Sequence, residues 1–392
     1  MMRFCGRLRL LLLPQLAVAV VLFAQAGAAA SPAGAYSTIT PEGIGAHIAE
    51  IQGPRSGTGD EANRAKLNEV AGYIRDLLAV DGLVVIEDPV NFVGRTFPNI
   101  VGMLTGTTCP EKTLIVGAHY DGVSSGPGAD DNASGVAAML EVARVLSAQP
   151  LQASVDFAAF SFEEAGLVGS SQMAAAADSA DRELLGMINF DMIAYTCDEP
   201  GCQDYPEGME PVRLTGDFLS VVGNSNSALL LNQFVAASAA AVPGLVVLPL
   251  EVPGNGETLP DVRRADHAPF WDHGFQALFV TDTADLRNPN YHLSTDELGT
   301  LNLQFAADTA NAAAAAVVEA LTADANGDGR ADVCGDVTVG GSAESPQPES
   351  SVESGTDESS TPDAVFLAIL AAAGVAVLAA AGAWYTVKRR SR

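Results

Sequence analysis

Apolar and polar positions along this chain fall into blocks whose period switches between helix and strand. Residues 61–78 repeat apolar side chains at helical spacing, whereas 83–87 and 99–104 carry short strand-like runs. An apolar run at 113–116 reads as a buried central strand, and 134–146 returns to the period of a helix with one face packed inward. A long apolar strand follows at 154–162 and then another helix; 186–190 and 276–281 are further buried strands, and a closing helix is expected over 301–321. Strands alternating with helices predict an α/β fold.

The two ends depart from this pattern. Arg3, Arg7 and Arg9 precede an apolar run at 10–24 and a small-residue stretch with Ala-x-Ala cleavage patterns, so 1–30 reads as a secretory signal peptide. Past the closing helix, Asp324, Asn326, Asp328 and Asp332 recur around a glycine in 323–336 and suggest a calcium-binding loop. Gly335 stands where an EF-hand would have its bidentate glutamate, and a plain acidic linker competes with that reading. Residues 337–363 are rich in Ser, Pro, Glu and Gly with no apolar period, as a disordered linker would be. The charge-free run at 364–387 is long enough for a transmembrane helix, with Trp384 and Tyr385 at an interface and a basic cytoplasmic tail at 388–392; a processed sorting tail has the same features.

With 48% hydrophobic residues among 392, the chain can bury a substantial core, and its net charge of -28 excludes nucleic acid as a natural partner. Export permits disulfides. Four cysteines remain after the leader: Cys197 and Cys202 flank a short turn and form the first-choice pair, Cys109 and Cys334 would then pair, and three pairings are formally open.

Chemistry-bearing residues gather where the expected strands end. His119 and Asp131 flank a glycine-rich loop after the 113–116 strand; His119 can offer an imidazole nitrogen, Asp131 two oxygens, and the Asp121 carboxylate is expected to hold the second ring nitrogen. Glu163 and Glu164 follow the 154–162 strand. Two adjacent buried carboxylates are costly unless water or a cation meets them, and one can bind metal while its neighbour carries a proton. Asp191 follows 186–190, and in open α/β sheets ligands gather at such carboxyl ends. His292 lies in a polar loop with Asp296 expected to orient it. His267 and His273, on a short aromatic-rich helix, read as structural, as does His47, and the Asn132-Ala133-Ser134 sequon reads as accidental at so crowded a place.

The ordered blocks His119-Tyr120-Asp121, Asp131-Asn132-Ala133-Ser134-Gly135, Phe162-Glu163-Glu164-Ala165-Gly166, Asn189-Phe190-Asp191-Met192 and Tyr291-His292 resemble those of the M28 family of zinc aminopeptidases. The resemblance implies a single α/β domain over 36–322 with a mixed, mostly parallel central sheet flanked by helices. It implies His119 and Asp191 as ligands of one zinc, Glu164 and His292 of another, and Asp131 rather than Asp130 as the bridge. Glu163 becomes the general base, Tyr291 a stabiliser of the tetrahedral intermediate, and Asp266 a supporting carboxylate, although Ala265 stands where the family has serine. Two Zn2+ ions are expected, with Mn2+ or Co2+ compatible with the ligand types. The implied substrates are peptides with a free N-terminus, drawn to the acidic pocket. The same fold carries carboxypeptidases, amidohydrolases and glutaminyl cyclases, but the cyclases place tryptophan where this chain has Tyr291, and a non-catalytic binding module would be expected to have lost ligands. Side-chain preference would lie in loops 197–211 and 254–264, which have no readable code.

Overall fold

The computed structural model describes residues 38–335 apart from Asp328. The expected leader, Asp328 of the candidate calcium loop, the acidic linker, the transmembrane helix and the basic tail lie outside these residues. Among the described residues no helix is long and apolar enough to cross a membrane.

Helix α1 (Pro41–Ile51) begins at a capping Thr40 and a proline whose missing N–H would have had no partner there. Helix α2 (Glu61–Val80) starts at Asp60, whose carboxylate accepts from Asn63 N–H, and covers the periodic stretch expected at 61–78. A hairpin of β1 (Val84–Phe92) and β2 (Arg95–Leu104) leads to the central β3 (Cys109–His119). The order then runs α3 (Gly135–Leu146), β4 (Ala153–Phe160), α4 (Val168–Ser179), β5 (Leu184–Phe190), β6 (Leu219–Asn224) and α5 (Ala228–Ala241). It ends with β7 (Val247–Val252), the short α6 (His267–Asp272), β8 (Leu278–Thr281) and the closing α7 (Leu303–Thr322).

The eight strands form one sheet in the order β1-β2-β4-β3-β5-β8-β6-β7. Strands β4, β3, β5 and β8 run parallel at its centre, while β2 against β4 and β6 against β8 are antiparallel, so the sheet is mixed as expected. Along β3, Leu114, Val116 and Ala118 face the larger apolar core, built with α1, α2, α3, α5 and α7, whereas Ile115 faces the smaller one with α4 and α6. This alternation buries both sheet faces and leaves the strand ends as the open chemical surface.

Both expected disulfides are present, Cys197 to Cys202 and Cys109 to Cys334. In the segment after α7, Asp324 accepts from the Gly327 and Gly329 amides and Asp332 from the Ala325 amide. The two clusters of metal-capable side chains among the described residues lie elsewhere.

Candidate metal centre

His119 is the last residue of β3, 1% exposed, and its Nε2 lies 3.4 Å from Asp131 Oδ1, 3.5 Å from Asp191 Oδ1 and 3.9 Å from Glu163 Oε2. Its Nδ1 lies 3.2 Å from the Asp121 main-chain carbonyl and 3.8 Å from the carboxylate. This corrects the expectation for Asp121: the carbonyl fixes the ring, while the carboxylate accepts the Glu163 amide at 2.9 Å. Strand β3 ends at His119, and the next amide, Tyr120 N–H, still donates to Phe160 O of β4.

Asp131 sits in an irregular turn at 129–134, before α3, with a cis peptide to Asn132. Its two oxygens face different imidazoles, Oδ1 toward His119 and Oδ2 at 3.0 Å from His292 Nε2. Three supports position this turn. Asp296 accepts the amides of Asp130 and Asp131 at 2.9 and 3.1 Å. Asn132, fully buried, donates to Phe190 O and accepts from Gly135 and Met192 amides, which ties the turn to the end of β5 and leaves the sequon inaccessible. Arg55 is equally buried and donates to the carbonyls of Tyr120, Pro127, Gly128 and Asp131. The Asp296 geometry is a second correction: its carboxylate orders the Asp131 turn rather than the His292 ring, because the chain from 292 to 296 folds back over that turn. Gly128 has φ 59° and a Cβ there would lie 2.2 Å from the Asp131 carbonyl, so only glycine fits.

Glu163 and Glu164 follow β4 after Phe162, whose positive φ of 57° turns the chain sharply. Glu164 Oε2 lies 3.2 Å from His292 Nε2. Neither this contact nor the one to Asp131 meets hydrogen-bond angles, and Glu164 Oε1 is also buried without a partner. His292 itself has φ 59°, and its ring stacks on Tyr291 at 3.8 Å between centroids. The donors therefore converge in two sets, His119, Glu163 and Asp191, and Asp131, Glu164 and His292, each with its ligand atoms within 4.8 Å of one another.

Burial pushes Glu164 up to about 7, helped by the Asp131 charge, and raises Glu163 well above the carboxylate range; it raises Asp191 too, against the pull of His119. Burial alone would lower His292, yet Asp131 and Glu164 hold it at about 10. Four carboxylates, buried or largely so, thus face two imidazoles, an excess of negative charge that only cations or protons can relieve. With lone pairs of Glu164 and His292 aimed into the same gap, this donor set of nitrogen and oxygen fits zinc.

The remaining candidates fall outside both sets. Asp266 is fully buried beside the centre, and burial raises it to about 7 despite the nearby His119 and the Ser170 hydroxyl. His267 is bonded to Val262 O and packed between Trp271 and Phe279, and burial lowers it to about 3. His273 pairs with Asp178 at the surface, and His47 with Tyr73 and Glu141. The sequence reading passed over Arg55 and the structural work of Asn132; the Gly-Pro-Arg-Ser-Gly setting of Arg55 is a turn signal and gives no hint of a buried guanidinium.

The profile of peptidase family M28 matches residues 99–317, more than half of the chain. An uncharacterized Escherichia coli K12 protein, YfbL, is 36% identical over 256 residues, which cover 62% of this chain and 77% of that protein. A Pyrenophora tritici-repentis protein named as a probable zinc metalloprotease is 30% identical over 249 residues, 56% of this chain and 55% of its own length. The chain thus spans about half of that fungal relative. Among solved structures, the Legionella pneumophila LapA aminopeptidase aligns with TM-score 0.56 at 19% identity, covering 73% of each chain. Porphyromonas gingivalis glutaminyl cyclase aligns with TM-score 0.54 at 16% identity, covering 72% of this chain and 98% of its own. Both share the fold. From the profile match, and from the Escherichia coli relative most of whose length it covers, the chain belongs to peptidase family M28.

Proposed function

We propose that this protein is a two-zinc aminopeptidase that removes N-terminal residues from extracellular peptides. The observation that carries the proposal is the placement of Asp131, one carboxylate whose two oxygens each face a different histidine at 3.4 and 3.0 Å. That is the disposition of a bridging ligand, with His119 and Asp191 on one side and Glu164 and His292 on the other. Zinc bound there would acidify a water and polarise the scissile carbonyl. Manganese and cobalt suit the same nitrogen and oxygen donors.

Glu163 is the general base. Its backbone amide is tied to Asp121 and its carboxyl, raised by burial, is suited to take the water proton and give it to the leaving amine. Tyr291 donates a hydrogen bond to the developing oxyanion. The free α-amine of a peptide, a cation, is favoured near a chain of net charge -28, which supports aminopeptidase over endopeptidase action. A calcium ion held in the loop at 323–336 by Asp324, Asn326, Asp328 and Asp332 would serve structure rather than this chemistry. The arginine-led apolar N-terminus and the apolar stretch at 364–387 support export and anchoring at the cell surface, by a single C-terminal helix or a processed sorting tail.

The test is hydrolysis of free and N-acetylated aminoacyl amides, with zinc content measured alongside. Activity on free amines only, abolished by a chelator and restored by zinc, is expected, and Glu163→Gln should lower kcat by roughly 10²–10⁴ while the zinc stoichiometry stays at two. Release from acetylated substrates or from C-termini would assign another hydrolase of this fold. Cyclisation of N-terminal glutamine without loss of a residue would assign a cyclase.

A further inference from the structure

Arg264 is the last residue of the loop at 254–264, shortly before α6, and nothing in the mechanism above uses it. Its Nη2 donates to the Tyr291 hydroxyl at 3.1 Å, and its Nη1 to Asp285 Oδ1 at 2.8 Å, with Asp261 Oδ1 at 3.7 Å. The guanidinium carbon lies 5.5 Å from the centroid of the Tyr291 ring. That ring also stacks on His292 with 20° between planes. The phenol is therefore held by a cation at its oxygen and by an imidazole at its face, and the cation is itself anchored from the turn after β8.

The direction of the hydrogen bond matters. Arginine has donors only, so the phenol oxygen must accept, and its single proton is left free to point elsewhere. Accepting a charge-assisted bond also draws electron density from the phenol and makes its O–H a stronger donor. A tyrosine without this partner would divide its proton between the two in-plane orientations of the phenol O–H and spend it on water.

We propose that Arg264 is a positioning residue for the reaction: it acts through the Tyr291 hydroxyl, aiming and strengthening the hydrogen bond that meets the oxyanion, with Asp285 as its anchor. This assignment rests on the aminopeptidase reading. It differs from a substrate-binding role, in which Arg264 would pair with a peptide carboxylate directly, and from a purely architectural tie between the loop before α6 and the turn after β8.

A double-mutant cycle separates the three. Arg264→Ala, Tyr291→Phe, the double variant and Arg264→Lys are compared for kcat and KM on leucinamide, for melting temperature and zinc content, and for calorimetric binding of an α-aminophosphonate that mimics the tetrahedral intermediate. The expected result is a loss of kcat in Arg264→Ala of roughly 10–100-fold, below the penalty for deleting an oxyanion donor outright. KM, zinc content and melting temperature stay near those of the wild type, and phosphonate binding weakens by about the same factor as kcat/KM. In the Tyr291→Phe background the same substitution costs less than about twofold, and Arg264→Lys, able to give one hydrogen bond, recovers part of the loss. An equal penalty with and without the hydroxyl, a change in KM alone, or a fall in melting temperature without loss of kcat would each overturn the assignment. Absence of any free-amine hydrolysis by the zinc-loaded wild type would instead overturn the aminopeptidase reading on which it rests.

Discussion

Backbone conformation at three positions bears on the centre. Phe162, Met192 and His292 all have positive φ, at 57°, 53° and 59°, and each is adjacent to or is a member of the donor sets. Such positions persist only where the surroundings over-determine them. Asp296 is one of those surroundings, since its carboxylate satisfies the amides of both Asp130 and Asp131. Asp296→Ala leaves two buried amides unpaired, at about 1–3 kcal/mol each, and frees the Asp131 turn. Zinc affinity, measured by competition with a chromophoric chelator, should fall by roughly 10–100-fold, the usual consequence of losing an outer hydrogen bond to a metal site. A variant that melts earlier yet binds zinc as tightly as the wild type would show that the turn keeps its shape without Asp296.

At the scale of elements, the strands that carry chemistry were the easiest to read and the supporting ones the hardest. Residues 113–116 and 186–190 are apolar on both faces because the parallel centre of the sheet is covered on both faces, and the ligands follow directly at His119 and Asp191. Helix α5, by contrast, is apolar nearly all round and shows little one-sidedness, and β7 is an edge strand containing Pro249, so neither has a clean period. Contacts made by long-range folding were hidden for the same reason: Arg55 and Asp296 are remote in sequence from the turn they both hold. Helix packing offers a test away from the metals. Glu141 on α3 takes two hydrogen bonds from Arg144 and lies 3.3 Å from His47 of α1, which in turn reaches Tyr73 of α2. Burial would raise the Glu141 carboxyl, but Arg144 and His47 hold it down at about 2, below its ordinary 4.5. Because the folded value is depressed, its contribution is complete above about 4.5 and is lost as the pH falls toward 2. Glu141→Gln should therefore cost about 1.5–3 kcal/mol in urea melts at pH 7, with the gap to the wild type narrowing once the pH drops below 4.5. A gap that stays constant down to pH 3.5 would mean that the charge contributes nothing.

For the molecule as a whole, the sheet separates what holds the fold from what does the chemistry. Cys109 opens β3 and His119 closes it, so the disulfide to Cys334 lies at the opposite end of the strand from the metal centre, roughly 30 Å away at about 3.3 Å per residue. That bridge joins residues 225 apart and closes the chain from β3 to the segment after α7 into one loop, which restricts the unfolded chain far more than the five-residue loop of Cys197 and Cys202. The segment it secures has further ties, since Lys112 donates to the Val333 carbonyl and the Ala331 amide donates to Gln152 Oε1, so the native geometry there does not depend on the sulfurs alone. Replacing both cysteines, Cys109→Ser with Cys334→Ser, should accordingly lower stability by about 2–4 kcal/mol while kcat/KM on free aminoacyl amides and the zinc content remain those of the wild type. A loss of activity larger than the loss of folded protein would mean that strain at the start of β3 reaches His119 along the strand, and that the two ends of the sheet are coupled rather than independent.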